Sequence, residues 1–154
     1  MSTIEKAYRD FCTKRFPLPS SKEISKFEEK IGVGLPPEYR SFIEEFNGGD
    51  FALPKIESSG EPCPTDRLRH MSGIGATHES AELGRLPDLQ LFGDVHHPEV
   101  LPIGRTIMNY FILLVIAPGG EDYGWVLLRT FTDSFFLAEN IEEFFGLLSE
   151  PIFD

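Results

Sequence analysis

Leu35-Pro36-Pro37-Glu38-Tyr39-Arg40-Ser41-Phe42-Ile43-Glu44-Glu45-Phe46-Asn47-Gly48-Gly49 decides how the chain is read. The two prolines give a rigid entry, and Pro is tolerated in the first turn of a helix. Tyr39, Phe42, Ile43 and Phe46 then recur at helical spacing and form one apolar face. Asn47-Gly48-Gly49 stops the helix, because Asn and Gly accept positive φ.

Working outward toward the N-terminus, two more helices are expected. Ile4, Ala7, Tyr8, Phe11 and Cys12 form one apolar stripe. Phe16-Pro17-Leu18-Pro19 ends that helix, since Pro disfavours helix in the residue before it. Ser20-Ser21-Lys22-Glu23 fits a capping box with Ser20 as N-cap. Ile24, Phe27 and Ile31 line the second helix, and Gly32 and Gly34 close it.

Beyond Gly49 the pattern turns toward strands. Phe51–Glu57 alternates weakly and Leu68–Ile74 reads as a second strand, with a Pro- and Ser-rich loop over Ser58–Asp66. A short helix is expected within Glu79–Leu91 and a loop over Gly93–Pro98. Tyr110–Ala117 is an apolar run suited to a central strand. Pro118-Gly119-Gly120-Glu121-Asp122 is a turn, Tyr123–Thr130 its hairpin partner, and Ser134–Ala138 a further strand. Asn140 caps a final helix with Glu143 at the capping-box position, and Ile141, Phe144, Phe145 and Leu148 supply its apolar face. Helices grouped first and strands later imply an α+β fold, with helices packed on a mostly antiparallel sheet. A chain of 154 residues suits one domain, 1–154. Its 14 Phe residues supply core material, each worth roughly 1.5–3 kcal/mol on burial.

Charge narrows the partners. The formal net charge of -11 disfavours nucleic acid and anionic membrane surfaces and favours a basic partner. Acidity also serves plain solubility. After Arg129 no basic residue remains, while Asp133, Glu139, Glu142, Glu143, Glu150 and Asp154 follow. The C-terminal end is therefore expected to be acidic, unless the fold brings Lys or Arg beside it. No basic-then-apolar leader opens the chain, and Tyr110–Pro118 is too short to span a bilayer. Cys12 and Cys63 lack CxxC spacing. A cytoplasmic setting is expected.

Catalytic signatures are absent: no GxSxG elbow, P-loop or HExxH is present. No catalytic, cofactor-binding or metal residues are assigned, and the chain is not expected to be an enzyme. His96-His97, with Asp94 and Glu99 nearby and Cys63 and His70 within conceivable reach, is the best metal candidate. Adjacent side chains on an extended chain diverge, and a dedicated zinc site needs three or four convergent ligands. A polar surface loop is the simpler reading. Glu44-Glu45, Glu121-Asp122 and Glu142-Glu143 read as solvated carboxylate pairs. Cys12 reads as core, and Cys63 as a loop thiol without a His partner. Trp125, the single Trp, reads first as sheet packing and second as an interface hot spot beside Glu121, Asp122 and Tyr123.

Leu35–Ile43 closing on Phe46-Asn47-Gly48-Gly49 resembles the signature of the SUKH superfamily, whose best-known branch is the yeast cell-wall-synthesis regulator (Smi/Knr) family. Leu101-Pro102-Ile103-Gly104 before an apolar strand, and Ala138-Glu139-Asn140 before the last helix, resemble two further family segments. Arg105–Asn109 departs from the acidic, turn-containing stretch frequent after the second segment, and Asn140 replaces the usual Ser. The resemblance implies a SUKH-like α+β domain without catalytic residues. It also implies either a bacterial immunity protein, which binds and neutralises a cognate polymorphic toxin, or a regulatory scaffold or small-ligand-binding domain. A basic nuclease-type toxin would suit the charge. Asp50, Glu121, Asp122 and Trp125 are the expected partner-binding residues. An unrecognised hydrolase using Cys63 or the His96-His97 loop is the third reading.

Overall fold

The structure is a computed structural model, described here over residues 1–58, 63–83 and 99–150. Three helices form the N-terminal part: α1 (Thr3–Phe11), α2 (Ser21–Ile31) and α3 (Pro37–Glu45). Ser2 caps α1 through the Glu5 N–H. The Ser20–Glu23 capping box forms in both directions, and Gly32 ends α2 in the left-handed conformation at φ 83°. Past α3, Asn47 and Gly48 take φ of 54° and 79°.

The strands are β1 (Cys12–Arg15), β2 (Gly49–Phe51), β3 (Lys55–Ile56), β4 (Asp66–Met71), β5 (Val100–Thr106), β6 (Phe111–Val115), β7 (Val126–Arg129), β8 (Ser134–Ala138) and β9 (Leu148–Ser149). A last helix, α4 (Ile141–Gly146), lies between β8 and β9. The sheet order is β1-β2-β4-β5-β6-β7-β8, with β3 joined to β4 and β9. Every strand pair is antiparallel. The expected α+β architecture is present.

Several boundaries differ from the sequence reading, each for a local reason. Cys12 leaves the α1 stripe and opens β1, where it pairs with Phe51 and stays half-buried. The expected strand Phe51–Glu57 is broken, because Leu53 sits at φ 55° ahead of Pro54. Glu79–Leu91 yields only a 3-10 turn, Glu79–Ala81, within the described residues. The hairpin strand begins at Val126, because Tyr123 and Trp125 still close turn hydrogen bonds onto Gly120 and Asp122. Leu148 belongs to β9 and not to α4, which ends at Gly146. The Glu143 carboxylate accepts from the Glu139 N–H and not from its N-cap, so the box at Asn140 is half formed. His96-His97, Asp94 and Gly93–Pro98 lie outside the described residues.

Side chains alternate along each strand. Ile112, Leu114, Val126 and Leu128 join the helices in one core, while Leu113, Val115 and Leu127 cluster with Val100 on the opposite face. Tyr8 centres the first cluster. Its ring stacks 4.6 Å from Phe46 and meets Phe51 edge-on at 5.3 Å, while its hydroxyl donates to the Gly48 carbonyl. α1 is thereby tied to the end of α3.

Candidate functional site

The two ends of α3 create two contrasting polar sites. At the C-terminal end, Asn47 is completely buried. Its amide nitrogen donates to the Pro17 and Ile74 carbonyls, each at 2.7 Å, and its oxygen accepts from the Ile74 N–H at 2.8 Å. A Cβ added at Gly48 would come within 2.5 Å of the Met71 carbonyl oxygen. The Asn-Gly-Gly stretch is thus a structural clamp holding three chain segments together.

At the N-terminal end a cavity of about 400 Å³ opens. Pro36, Pro37, Glu38 and Tyr39 form the wall contributed by α3 and its entry. Leu114 with Glu121, Tyr123, Gly124 and Trp125 comes from β6 and the hairpin turn. Glu139, Asn140 and Ile141 close it at the start of α4. The Tyr123 hydroxyl donates to the Gly34 carbonyl at 3.4 Å and ties the turn to the α2–α3 connection. Arg40 pairs with Glu28 of α2 at 3.3 Å, which fixes α3 against α2, and with Glu44 on its own helix.

Tyr39 is 1% exposed, and its hydroxyl has no hydrogen-bond partner among the described residues. Burial pushes its phenol far above the usual tyrosine range, so the proton stays on. An unpaired buried hydroxyl costs about 1–3 kcal/mol. Glu38, Glu121 and Glu139 are exposed and take part in no ion pair among the described residues. The C-terminal acidic stretch therefore meets no Lys or Arg at Glu139. Among the described residues, no basic residue lines the cavity.

The expected partner-binding residues fall in two places. Glu121, Asp122 and Trp125 share the hairpin turn, and Glu121 and Trp125 border the cavity. Trp125 also packs with the cluster on the far sheet face, its ring edge-on to Phe136 at 4.9 Å. Asp50 lies on β2, separated from β6 by β4 and β5. There its carboxylate meets His78 Nε2 at 2.8 Å. Sequence reading missed Glu38, Tyr39 and Glu139, since Tyr39 carries an ordinary core spacing.

His78 Nδ1 in turn meets Ser80 Oγ at 2.8 Å, so Asp50, His78 and Ser80 form a hydrogen-bonded chain. Acyl transfer would also need a substrate cleft and an oxyanion site. Neither the cavity above nor a second one beside α1 is lined by these three residues. His70 packs edge-on to His78 at 5.5 Å, and burial first, then His78, lowers its pKa to about 4. Cys63 is buried, and burial raises its thiol pKa, which disfavours the nucleophilic thiolate. Both cysteines are free thiols. Among the described residues no group of His, Cys, Asp and Glu is placed to hold a metal ion, and no helix is long and apolar enough to cross a membrane.

The molecule is an α+β domain, a helical layer on an antiparallel sheet, with a clamp at one end of α3 and an acidic cavity at the other. Residues 18–146 match the sequence model of the SMI1 / KNR4 family (SUKH-1), and the chain belongs to that family. No curated protein and no solved structure matches the chain.

Proposed function

We propose that this protein is a non-catalytic, protein-binding domain of the cytoplasm that acts as a bacterial immunity protein, neutralising a cognate polymorphic toxin by direct contact. The single observation that carries the reading is the set of carboxylates, Glu38, Glu121 and Glu139, around one cavity and without an ion pair among the described residues, on a chain of net charge -11. Such a surface attracts a basic protein and speeds its encounter, while repelling nucleic acid. A basic nuclease-type toxin fits, because the inhibitor would occupy the surface that meets phosphate. The free thiols Cys12 and Cys63 suit a reducing compartment.

Co-expression with the toxin encoded beside its gene tests the reading. The expected result is restored growth and a complex recovered by pull-down. Cell death together with no complex would sink it.

A second reading, a regulatory or small-ligand-binding domain, is favoured by one observation: a cavity of about 400 Å³ lined by both apolar residues and carboxylates. Native mass spectrometry of purified protein would expose a retained metabolite.

A further inference from the structure

We propose that the end of the sheet formed by the β5–β6 and β7–β8 turns is a second docking surface, one that takes an acidic protein segment: Arg69, Arg105 and Arg129 meet its carboxylates, and Met108, Phe131 and Phe136 meet its apolar side chains. This goes beyond the cavity reading and does not rest on it. Alternate turns of an antiparallel meander fall at opposite ends of the strands, and the cavity borders the β6–β7 turn.

Two independent observations mark the surface. The first is charge. Arg105 on β5, Phe111 on β6 and Arg129 on β7 stand directly opposite one another. They therefore share the face turned away from the helices, where Phe111 packs with Leu113 and Leu127. The Arg105 guanidinium lies 4.6 Å from the centre of the Phe111 ring. Arg69 and Arg105 both donate to Asn109 Oδ1, at 3.5 and 3.4 Å, and Arg129 donates to the Ser134 hydroxyl at 3.3 Å. Each of these acceptors is neutral. None of the three arginines forms an ion pair among the described residues. Carboxylates are not scarce in a chain of 25 acidic and 14 basic residues. The two that stand on β4 to β8 or on these two turns, Asp66 and Asp133, are engaged elsewhere. Asp66 accepts from the Arg67 and Met108 N–H groups, and Asp133 from the Thr132 hydroxyl. Guanidinium groups gathered on neutral oxygens keep their mutual repulsion, which an incoming carboxylate relieves.

The second observation is apolar exposure. Among the described residues six large apolar side chains are exposed, and four of them, Ile107, Met108, Phe131 and Phe136, belong to these two turns and to β8. Phe131 is 78% exposed, and it meets Tyr110 edge-on at 5.2 Å, which joins one turn to the other. Apolar groups gathered on one surface mark a contact site, and arginine interleaved with aromatic rings is the composition of interface hot spots.

The pairing selects the occupant. Nucleic acid would engage the arginines but leave Met108 and Phe131 in water, and a net charge of -11 repels it at long range. A basic protein would meet the arginines head-on. A purely apolar partner would strip water from the guanidinium groups and give nothing in return. An acidic segment with apolar side chains between its carboxylates answers both features.

The test is an NMR titration of the full-length protein with the peptide acetyl-Glu-Phe-Asp-Glu-Leu-Asp-amide, beside its isostere with Gln and Asn in place of Glu and Asp. Saturable amide shifts at Arg69, Asn109, Arg129 and Phe131 are expected with the acidic peptide. Binding about tenfold weaker is expected with the isostere, which keeps the shape and loses the charge. The double changes Arg69→Glu with Arg129→Glu, and Met108→Ser with Phe131→Ser, should each weaken binding by about tenfold while the spectrum remains that of the folded protein. Glu121→Gln, at the cavity, should bind the peptide as wild type does. Equal response to both peptides, shifts confined to another surface, or full binding by either double variant would overturn the proposal. Tighter binding of oligothymidylate than of the acidic peptide would give the surface to nucleic acid. Self-association in sedimentation that is lost in Arg69→Glu with Arg129→Glu would give it to a second copy of the chain. Either result would also overturn the proposal.

Discussion

At the C-terminal end of α3, Asn47 has both amide donors and its oxygen engaged, in a site with no exposure. At the N-terminal end of the same helix, Tyr39 is almost as deeply buried, yet its hydroxyl meets no hydrogen-bond partner among the described residues. Tyr39 lies within the first turn of α3, and Asn47 just past the helix end. A saturated polar group locks chain segments together, because removing it strands its partners. An unsaturated one weakens the free protein and leaves a hydrogen bond for something else to make. The difference separates a polar group that holds the fold together from one that does not.

Breaking the saturated end should have the largest effect. Asn47→Ala strands two carbonyls and one N–H in the interior and places alanine at φ 54°. Its urea unfolding midpoint should fall by the equivalent of about 3–5 kcal/mol. Gly48→Ala drives a Cβ to 2.5 Å from the Met71 oxygen. A loss of about 2–4 kcal/mol is expected in the same assay. Gly75→Ala is its control, since that glycine also has positive φ, 69°, but no atom within 4 Å of the added carbon.

Acid should act next, through His70. Its folded pKa of about 4 lies below the ordinary value near 6.5 in the unfolded chain. The unfolded state therefore binds the extra proton between those values. Stability is intact above pH about 6.5 and falls as the pH drops toward about 4, by at most about 3 kcal/mol. Asp66, whose carboxyl burial pushes upward, acts in the opposite sense because there the folded state takes the proton first. His70→Gln should flatten the pH 4–6.5 limb of the stability profile.

At the unsaturated end the sign should reverse. Tyr39→Phe removes an unpaired hydroxyl and should leave stability unchanged or raise it by up to about 1–2 kcal/mol. A marked loss would show that the hydroxyl is used within the fold and would erase the contrast. Smallest of all, Glu121→Gln should leave the unfolding midpoint where it is, since this exposed carboxylate forms no ion pair among the described residues.

Much of the helical layer was legible because its signals are local. Ser20 and Glu23, Gly32, Pro36-Pro37 and Asn47-Gly48 act within a few residues of themselves, and each does in the fold what its chemistry suggested. The β6–β7 hairpin was legible for the same reason. β1 was not, because Cys12–Arg15 becomes a strand only by pairing with β2, some 35 positions later. Leu53 gives no local warning of its positive φ, so the break between β2 and β3 was invisible. Of the site, Glu121, Asp122 and Trp125 stood out by composition. Glu38 and Glu139 looked like ordinary surface charge, and Asp50 gave no sign of its His78 partner.

The sequence by itself determined the helix ends, the hairpin, the α+β class and the excess of negative charge, because capping, turn chemistry and hydrophobic period are short-range and charge is a count. Only the tertiary structure decided which polar groups are satisfied. Tyr39 is a buried polar residue of α3 and Asn47 is another just past its end. Whether a donor or acceptor lies within about 3 Å depends on segments distant in the chain, and a hydrogen bond vanishes over a fraction of that distance.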